Sequence, residues 1–391
     1  MPVPHLSRKQ FLRLSAMAAA AAALGACGQA RDADAPLRIG YLPITDAAPL
    51  LVAHAQGLFD AEGVPAERPV LFRGWSQLVE AFFAGQVDVV HLLSPVVLWA
   101  RYASHTPAKV VAWNHLDGSG LAVANDIQTV GDLGGRTVAI PHWYSIHNIV
   151  LQQLLRANGL SPLSKAQGAV PADQVSLVVM APADMVPALA AGQIAGFIVA
   201  EPFCALAEES GAGHLLRFTG DIWKAHACCQ VVMRERDIQE RPERAQKIVN
   251  AIVRAELWLR DHGDEAAELL AASGPGQYTP HSVAALKRVL APADGAAAGY
   301  AASGAIRHPE WQSRRIDFEP YPYPGYTEEL VRLLKETLVE GDKRFLDTLD
   351  PAEVAADLVD DRFVRQALAN MGGLPAFGLP DSFTRTELLR P

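Results

Sequence analysis

From Leu37 onward, apolar runs of four to six residues alternate with stretches in which apolar positions recur three and four residues apart. The first rhythm predicts strands and the second helices, so their alternation predicts βα units and largely parallel sheets covered by helices. Leu37 to Leu42 reads as a first strand, after which Thr45 or Asp46 is expected to cap a helix carrying Leu50, Leu51, Ala53 and Leu58. Val70 to Phe72 is a second strand; Ser76 is expected to cap the next helix, which stops at Gly85. Val87 to Leu92 is a third strand, and Ser94-Pro95 opens a helix with a cap and a proline at its first position. Lys109 to Trp113 and Leu121 to Ala124 are further strands, completing one α/β unit by about residue 125.

The same rhythm builds a second unit. Thr137 to Ile140 reads as a strand, Ser145 to Asn158 as a helix ended by Gly159, Val175 to Met180 as a strand, Asp184 to Ala191 as a short helix and Ile194 to Ala200 as a strand. Beyond Gln230 to Met233 the pattern becomes helical: Ala245, Ile248, Ile252, Ala255 and Leu259 share one face, Thr279-Pro280 starts another helix, and further helices fill 327–371. The Ala/Gly stretch 291–305 reads as a loop.

With 391 residues, 50% hydrophobic and 20% charged, the chain has ample apolar material for a packed core in two lobes. Its formal net charge of −9 and the lack of a long basic run exclude a duplex-binding surface, so no nucleic-acid partner is expected. The first thirty residues read as an address: Arg8, Lys9 and Arg13 precede a short alanine-rich apolar stretch, the layout of a secretory signal too short for a permanent membrane span. Leu24-Gly25-Ala26-Cys27 resembles a bacterial lipobox, which implies lipidation at Cys27 after removal of residues 1–26. Residues 28–36 are small and polar and read as part of a tether; Ser7 to Leu12 also resembles a twin-arginine signal, so the export route stays open.

Several motifs resemble one family in number and order. They are Arg38-Ile-Gly-Tyr-Leu-Pro-Ile-Thr-Asp-Ala-Ala-Pro-Leu, Gly57-Leu58-Phe59, Gly85-Gln86-Val87-Asp88, Asp132 to Ala139, Tyr144-Ser145-Ile146-His147-Asn148, Glu201-Pro202-Phe203 and Ile222-Trp223-Lys224-Ala225-His226. Together they are similar to ABC-transporter substrate-binding lipoproteins of the nitrate, taurine and sulfonate class, above all the nitrate/bicarbonate branch. The resemblance implies an α/β fold, a two-lobed type II periplasmic binding protein with a two-strand hinge and a helical C-terminal extension. Residues 37–125 and 228–391 are expected in lobe 1 and 126–227 in lobe 2. It also implies a monomeric receptor on the periplasmic face of the membrane, held there only by its lipid, that closes on a small anion, nitrate-like first, and delivers it to a permease with its ATPase.

Candidate contacts follow the strand ends, where ligands bind in open α/β sheets. Trp75 offers a wall for a planar solute, and Ser94 and Ser119 offer hydroxyl donors. His142 and Tyr144 sit after a strand end in the second unit, Ser145 is expected as an N-cap, and His147 would follow it in the first helical turn, facing the cleft. Lys224 matches the family's Ile-Trp-Lys and is the expected point charge. Glu201 would repel an anion, so it is read as fixing the hinge or binding a cationic or amide group.

Trp75, Trp143, Tyr144 and Phe203 keep an organic solute open as the alternative: an alkanesulfonate, taurine or a pyrimidine vitamin precursor. A metal-binding protein is a further alternative, because His142, His147, His226, Cys204, Cys228 and Cys229 supply nitrogen and sulfur, although no Cys-x-x-Cys or His-Glu-x-x-His spacing occurs. A bond from Cys204 to Cys228 or Cys229 is one option for the thiols and burial as small hydrophobes the other. No nucleophile motif, Walker motif or dinucleotide fingerprint is present, so no enzyme activity, metal or cofactor is expected.

Overall fold

A computed structural model describes residues 35–165, 168–311 and 314–391. The expected leader, with Cys27, lies outside the described residues, as does most of the tether. Thirteen strands are present among the described residues. They are β1 (Ile39–Tyr41), β2 (Val70–Leu71), β3 (Val89–Leu93), β4 (Ala108–Trp113), β5 (Leu116–Asp117), β6 (Ser119–Val123), β7 (Thr137–Ile140), β8 (Ser161–Leu163), β9 (Gln174–Val179), β10 (Gly196–Ala200), β11 (His214–Phe218), β12 (Cys229–Arg234) and β13 (Ile316–Asp317).

The first sheet runs β2-β1-β3-β12-β4. Strands β2, β1 and β3 are parallel, and β12 returns antiparallel between β3 and β4. The central strand β3 is buried along its whole length, including His91, whose Nε2 accepts from Leu42 N at 3.0 Å. The second sheet runs β11-β6-β10-β7-β9-β8, with β10, β7, β9 and β8 parallel and β6 antiparallel to both β10 and β11. Strands β5 and β13 form a two-stranded ribbon beside the crossover.

The strands divide between two main sheets, and the chain first passes from one to the other before residue 125. Leu121 to Ala124 was expected to close the first unit; Leu121 instead pairs with Ile198 of β10 and Ala122 with Phe197, within the second sheet. A short apolar run reads the same in either sheet, and its partner is chosen by contacts far along the chain. Gly120 permits the close fit: a Cβ there would lie 2.5 Å from Leu215 Cδ1.

Helix ends differ from the sequence reading at several hydroxyls. The Ser145 cap is present, its Oγ accepting from Asn148 N at 3.0 Å. Thr45 and Asp46 cap nothing, because Thr45 Oγ1 donates to the Glu201 carbonyl and Asp46 pairs with His115. Ser76 sits inside the Trp75–Phe83 helix, whose cap is Gly74. Ser94 begins the Ser94–Tyr102 helix but donates its hydroxyl to the carbonyls of Ala227 and Cys228, at 3.0 and 3.1 Å. The helix expected from Thr279-Pro280 starts at Val283, capped by Ser282. Ala296–Ser303, read as loop, is a helix framed by left-handed glycines at 295 and 304. Its alanines favour helix without burying any face, so no apolar periodicity announces it.

The Pro242–Leu259 helix buries Ala245, Ile248, Val249, Ile252 and Leu259 and packs against the Ala48–Ala55 helix. After it the chain is largely helical through Arg362–Asn370. The segment following the Pro324–Glu336 helix reaches back to the second unit: Asn148 Nδ2 and Gln152 Nε2 donate to the Leu338 carbonyl at 3.0 and 2.8 Å, and Leu338 N donates to Gln152 Oε1 at 2.8 Å.

Candidate functional site

The C-terminal ends of parallel strands from both sheets converge on one cavity of about 270 Å³. After β2 the chain supplies Arg73, Gly74, Trp75, Ser76 and Gln77; after β7, Pro141 and His142; from the end of β9, Val179 to Pro182. Two helices begin in this lining, Trp75–Phe83 and Pro182–Ala190. Their first turns present unpaired N–H groups and partial positive charge. Arg73 adds a full charge that makes no hydrogen bond or ion pair among the described residues, and its side chain is exposed. The wall is aromatic: Trp75 is buried, packs edge-on against His91 at 5.6 Å, and leaves its indole N–H without a partner. His142 accepts a hydrogen bond from Tyr144 N at 3.0 Å, and burial holds its imidazole down to about 4.

A buried polar chain runs within the second unit. Ser119 Oγ and His147 Nε2 lie 2.9 Å apart, Thr219 Oγ1 donates to the Ser119 carbonyl at 3.0 Å, and His226 Nε2 is 2.8 Å from Thr219 Oγ1. All four residues are fully buried. The Cys228 thiol touches the chain, 3.8 Å from His147 Nε2. Burial drives the His226 imidazole down to about 3. Ser119 and His147, singled out from sequence in different units, therefore meet, although neither lines the 270 Å³ cavity.

The other expected residues are placed as follows. Tyr144 packs between Trp99 and Phe345, with its hydroxyl 3.5 Å from the Asp342 carbonyl. Ser145 is committed to its cap and to the His142 carbonyl at 2.7 Å. Ser94 fastens the hinge strands, as its bonds to Ala227 and Cys228 show. Glu201 is wholly buried and held by Arg315, whose Nε lies 2.8 Å from Oε1, while its Oε2 accepts from Ala205 N at 3.1 Å. Its carboxylate is occupied by these partners, and Arg315 is the one that sequence reasoning missed. Lys224 is pinned through its backbone N to the Leu388 carbonyl at 3.0 Å, and its ammonium lines neither the cavity nor the buried chain.

The three cysteines beyond Cys27 are free thiols, which removes the expected option of a Cys204 bond. Cys204 Sγ points to the Gly120 carbonyl at 3.3 Å, whereas Cys229 Sγ points to Asp46 Oδ2 at 3.3 Å. Asp46 also pairs with His115 Nε2 at 2.9 Å. Burial pulls the His115 imidazole down, but the Asp46 carboxylate outweighs it and raises the group to about 10. Neither Asp46 nor His115 carried a sequence signal as a pair, because they stand 69 positions apart and meet only through the first sheet.

Two α/β sheets, crossed twice by the chain and facing each other across a cavity at their strand ends, define the periplasmic-binding-protein fold. Residues 30–272 match the model of the NMT1-like family, and the chain belongs to that family. It is 25% identical over 303 residues to the nitrate/nitrite binding protein NrtA of Nostoc sp., covering 65% of this chain and 67% of that one. It is 27% identical over 251 residues to the nitrate import ATP-binding protein NrtC of Synechocystis sp., covering 60% of this chain and 37% of that one. In three dimensions it is similar to the periplasmic nitrate-binding protein NrtA from Synechocystis, with a TM-score of 0.70 at 18% identity, covering 90% of this chain and 92% of that one.

Proposed function

We propose that the chain is the solute receptor of an ABC importer, binding a small oxyanion, nitrate-like in size and charge, between two closing lobes. The observation that carries this reading is the shared cavity, where helix starts from both units and the unpaired Arg73 meet beside the unpartnered Trp75 N–H. Oriented N–H groups with a cation favour an anion even in a protein of net charge −9. The lobes in this reading are 37–118 with 228–391, and 119–227, hinged where the chain passes between sheets. A solute held by one lobe gains contacts from the other, so its differential affinity favours the closed form. The work is binding and delivery, without covalent chemistry, to a permease and its ATPase. Similarity to proteins named for nitrate binding and nitrate import supports this role. Export and a lipid anchor at Cys27 complete it.

The test is titration calorimetry of the mature chain with nitrate, nitrite, bicarbonate, taurine and alkanesulfonates. A small oxyanion is expected to bind, with Arg73→Ala weakening it by about tenfold or more, since hydrogen bonds to charged groups contribute about 1.5 to 3 kcal/mol. Lys224→Ala is expected to leave affinity unchanged. Oxyanion binding indifferent to Arg73→Ala and lost in Lys224→Ala would move the site elsewhere, and binding of an organic sulfonate alone would replace the ligand class.

A further inference from the structure

A second cluster of chemistry-bearing side chains lies outside the cavity, where strands of the first sheet begin or end. Asp46 stands in the single turn Thr45–Ala47 just after β1. His115 occupies the link between β4 and β5, and Cys228 and Cys229 bring the chain into β12. All four are fully buried. One ligand atom from each lies within 4.8 Å of every other. Two of the separations are 2.9 Å, His115 Nε2 to Asp46 Oδ2, and 3.3 Å, Cys229 Sγ to the same oxygen. A tetrahedral ion bound at about 2.0 to 2.3 Å has ligand–ligand edges of about 3.3 to 3.8 Å, so the cluster needs only small adjustments to close around one.

Two details set this cluster apart from a chance meeting of polar groups. Adjacent strand residues point to opposite faces, yet both thiols turn inward because Cys228 sits in a bend and only Cys229 has entered the strand. In addition, Asp46 Oδ1 is buried without any hydrogen-bond partner among the described residues. A buried carboxylate oxygen left unpaired costs about 1 to 3 kcal/mol or more, a cost that a cation would remove.

We propose that Asp46, His115, Cys228 and Cys229 form a tetrahedral site for a thiophilic divalent cation of the zinc type. Two sulfurs, one imidazole and one carboxylate suit a borderline-soft ion and not calcium or magnesium, which require oxygen cages. Four protein ligands leave no open position, so the ion is structural. It ties the turn after β1 to the link after β4 and the entry of β12, and thereby fixes the floor beneath Ser119 and His147. Loading requires thiolates and a neutral imidazole, so protons carried by the two thiols and by the ligating His115 nitrogen leave to solvent while sulfur keeps its original oxidation state.

The experiment uses the mature chain with Cys27→Ser, metal-depleted, and Co2+ as a spectroscopic probe. One Co2+ per chain is expected, with the strong visible bands of tetrahedral cobalt and thiolate-to-cobalt charge transfer in the near ultraviolet, both erased by one equivalent of Zn2+. Cys228→Ser and Cys229→Ser each abolish or sharply weaken the charge transfer, whereas Cys204→Ser keeps it. Because a core thiol variant can misfold, alkylation of the otherwise wild-type chain provides an independent readout: Zn2+ is expected to protect Cys228 and Cys229 together and leave Cys204 unaffected. Absence of charge transfer, bands that survive loss of both thiols, or thiols labelled equally with and without Zn2+ would overturn the proposal. Solute binding is measured separately, so failure of the anion reading leaves this result intact.

Discussion

Trp75 keeps its indole N–H buried and unpartnered at the cavity wall, so an anion placed there gains a charge-assisted hydrogen bond without breaking one inside the protein. Trp75→Phe preserves an aromatic wall and removes only that donor; the oxyanion affinity is expected to fall about tenfold, the equivalent of roughly 1.4 kcal/mol, and calorimetry with nitrate checks it. Unchanged affinity would leave Trp75 as packing alone. His142 carries the pH prediction. Burial lowers its imidazole from 6.5 to about 4, so between those values the unfolded chain takes up a proton that the native chain refuses. Its contribution to stability is therefore complete above about pH 6.5 and lost as the pH falls through the window toward 4. Proton NMR is expected to give the His142 ring a midpoint near 4, and a midpoint near 6.5 would show that the ring is solvated. Trp75 and His142 stand in the cavity lining at strand ends that can be read from local sequence, whereas His147, placed after a legible serine cap, lies outside it. Arg73 carries no motif of its own, and the Ile-Trp-Lys motif at Lys224 gives no clue that the C-terminal tail, through Leu388, holds its backbone.

The helix Ile146–Ala157 is fastened on one side by elements of its own sheet and on the other by the segment around Leu338. Gln152 is the key side chain, since its amide both donates to the Leu338 carbonyl and accepts from the Leu338 N–H, from a fully buried position. Gln152→Ala strands the Leu338 N–H, while the carbonyl keeps its bond from Asn148, and is expected to cost about 1 to 3 kcal/mol of unfolding free energy. Urea denaturation checks this, and an unchanged midpoint would mean that water replaces the amide. The helices of both units were legible from apolar periodicity and their glycine stops. The Ala296–Ser303 helix was not, having no buried face, and neither was the pairing of β6, because strand identity is local while strand partnership is not.

Across the whole molecule, the alternation of strands and helices was enough to give a two-unit α/β protein, while the crossover between sheets depended on one strand whose apolar residues fit either. The proposed lipid anchor assigns residues 28–36 the role of a short leash from Cys27. Replacing Cys27 with Ala is expected to move the protein from the membrane fraction to the soluble exported fraction; continued sedimentation with membranes would point to another attachment. The place of β12 also sets an order of assembly. All six strands of the second sheet lie between residues 119 and 218, so they form one uninterrupted stretch of chain. The first sheet, in contrast, stays split between β3 and β4 until Cys229 to Arg234 arrives to fill the gap. A polypeptide emerging amino end first from an export channel thus completes its later unit before its earlier one, and the opening hundred residues wait, with an unzipped seam, for a strand made long after them.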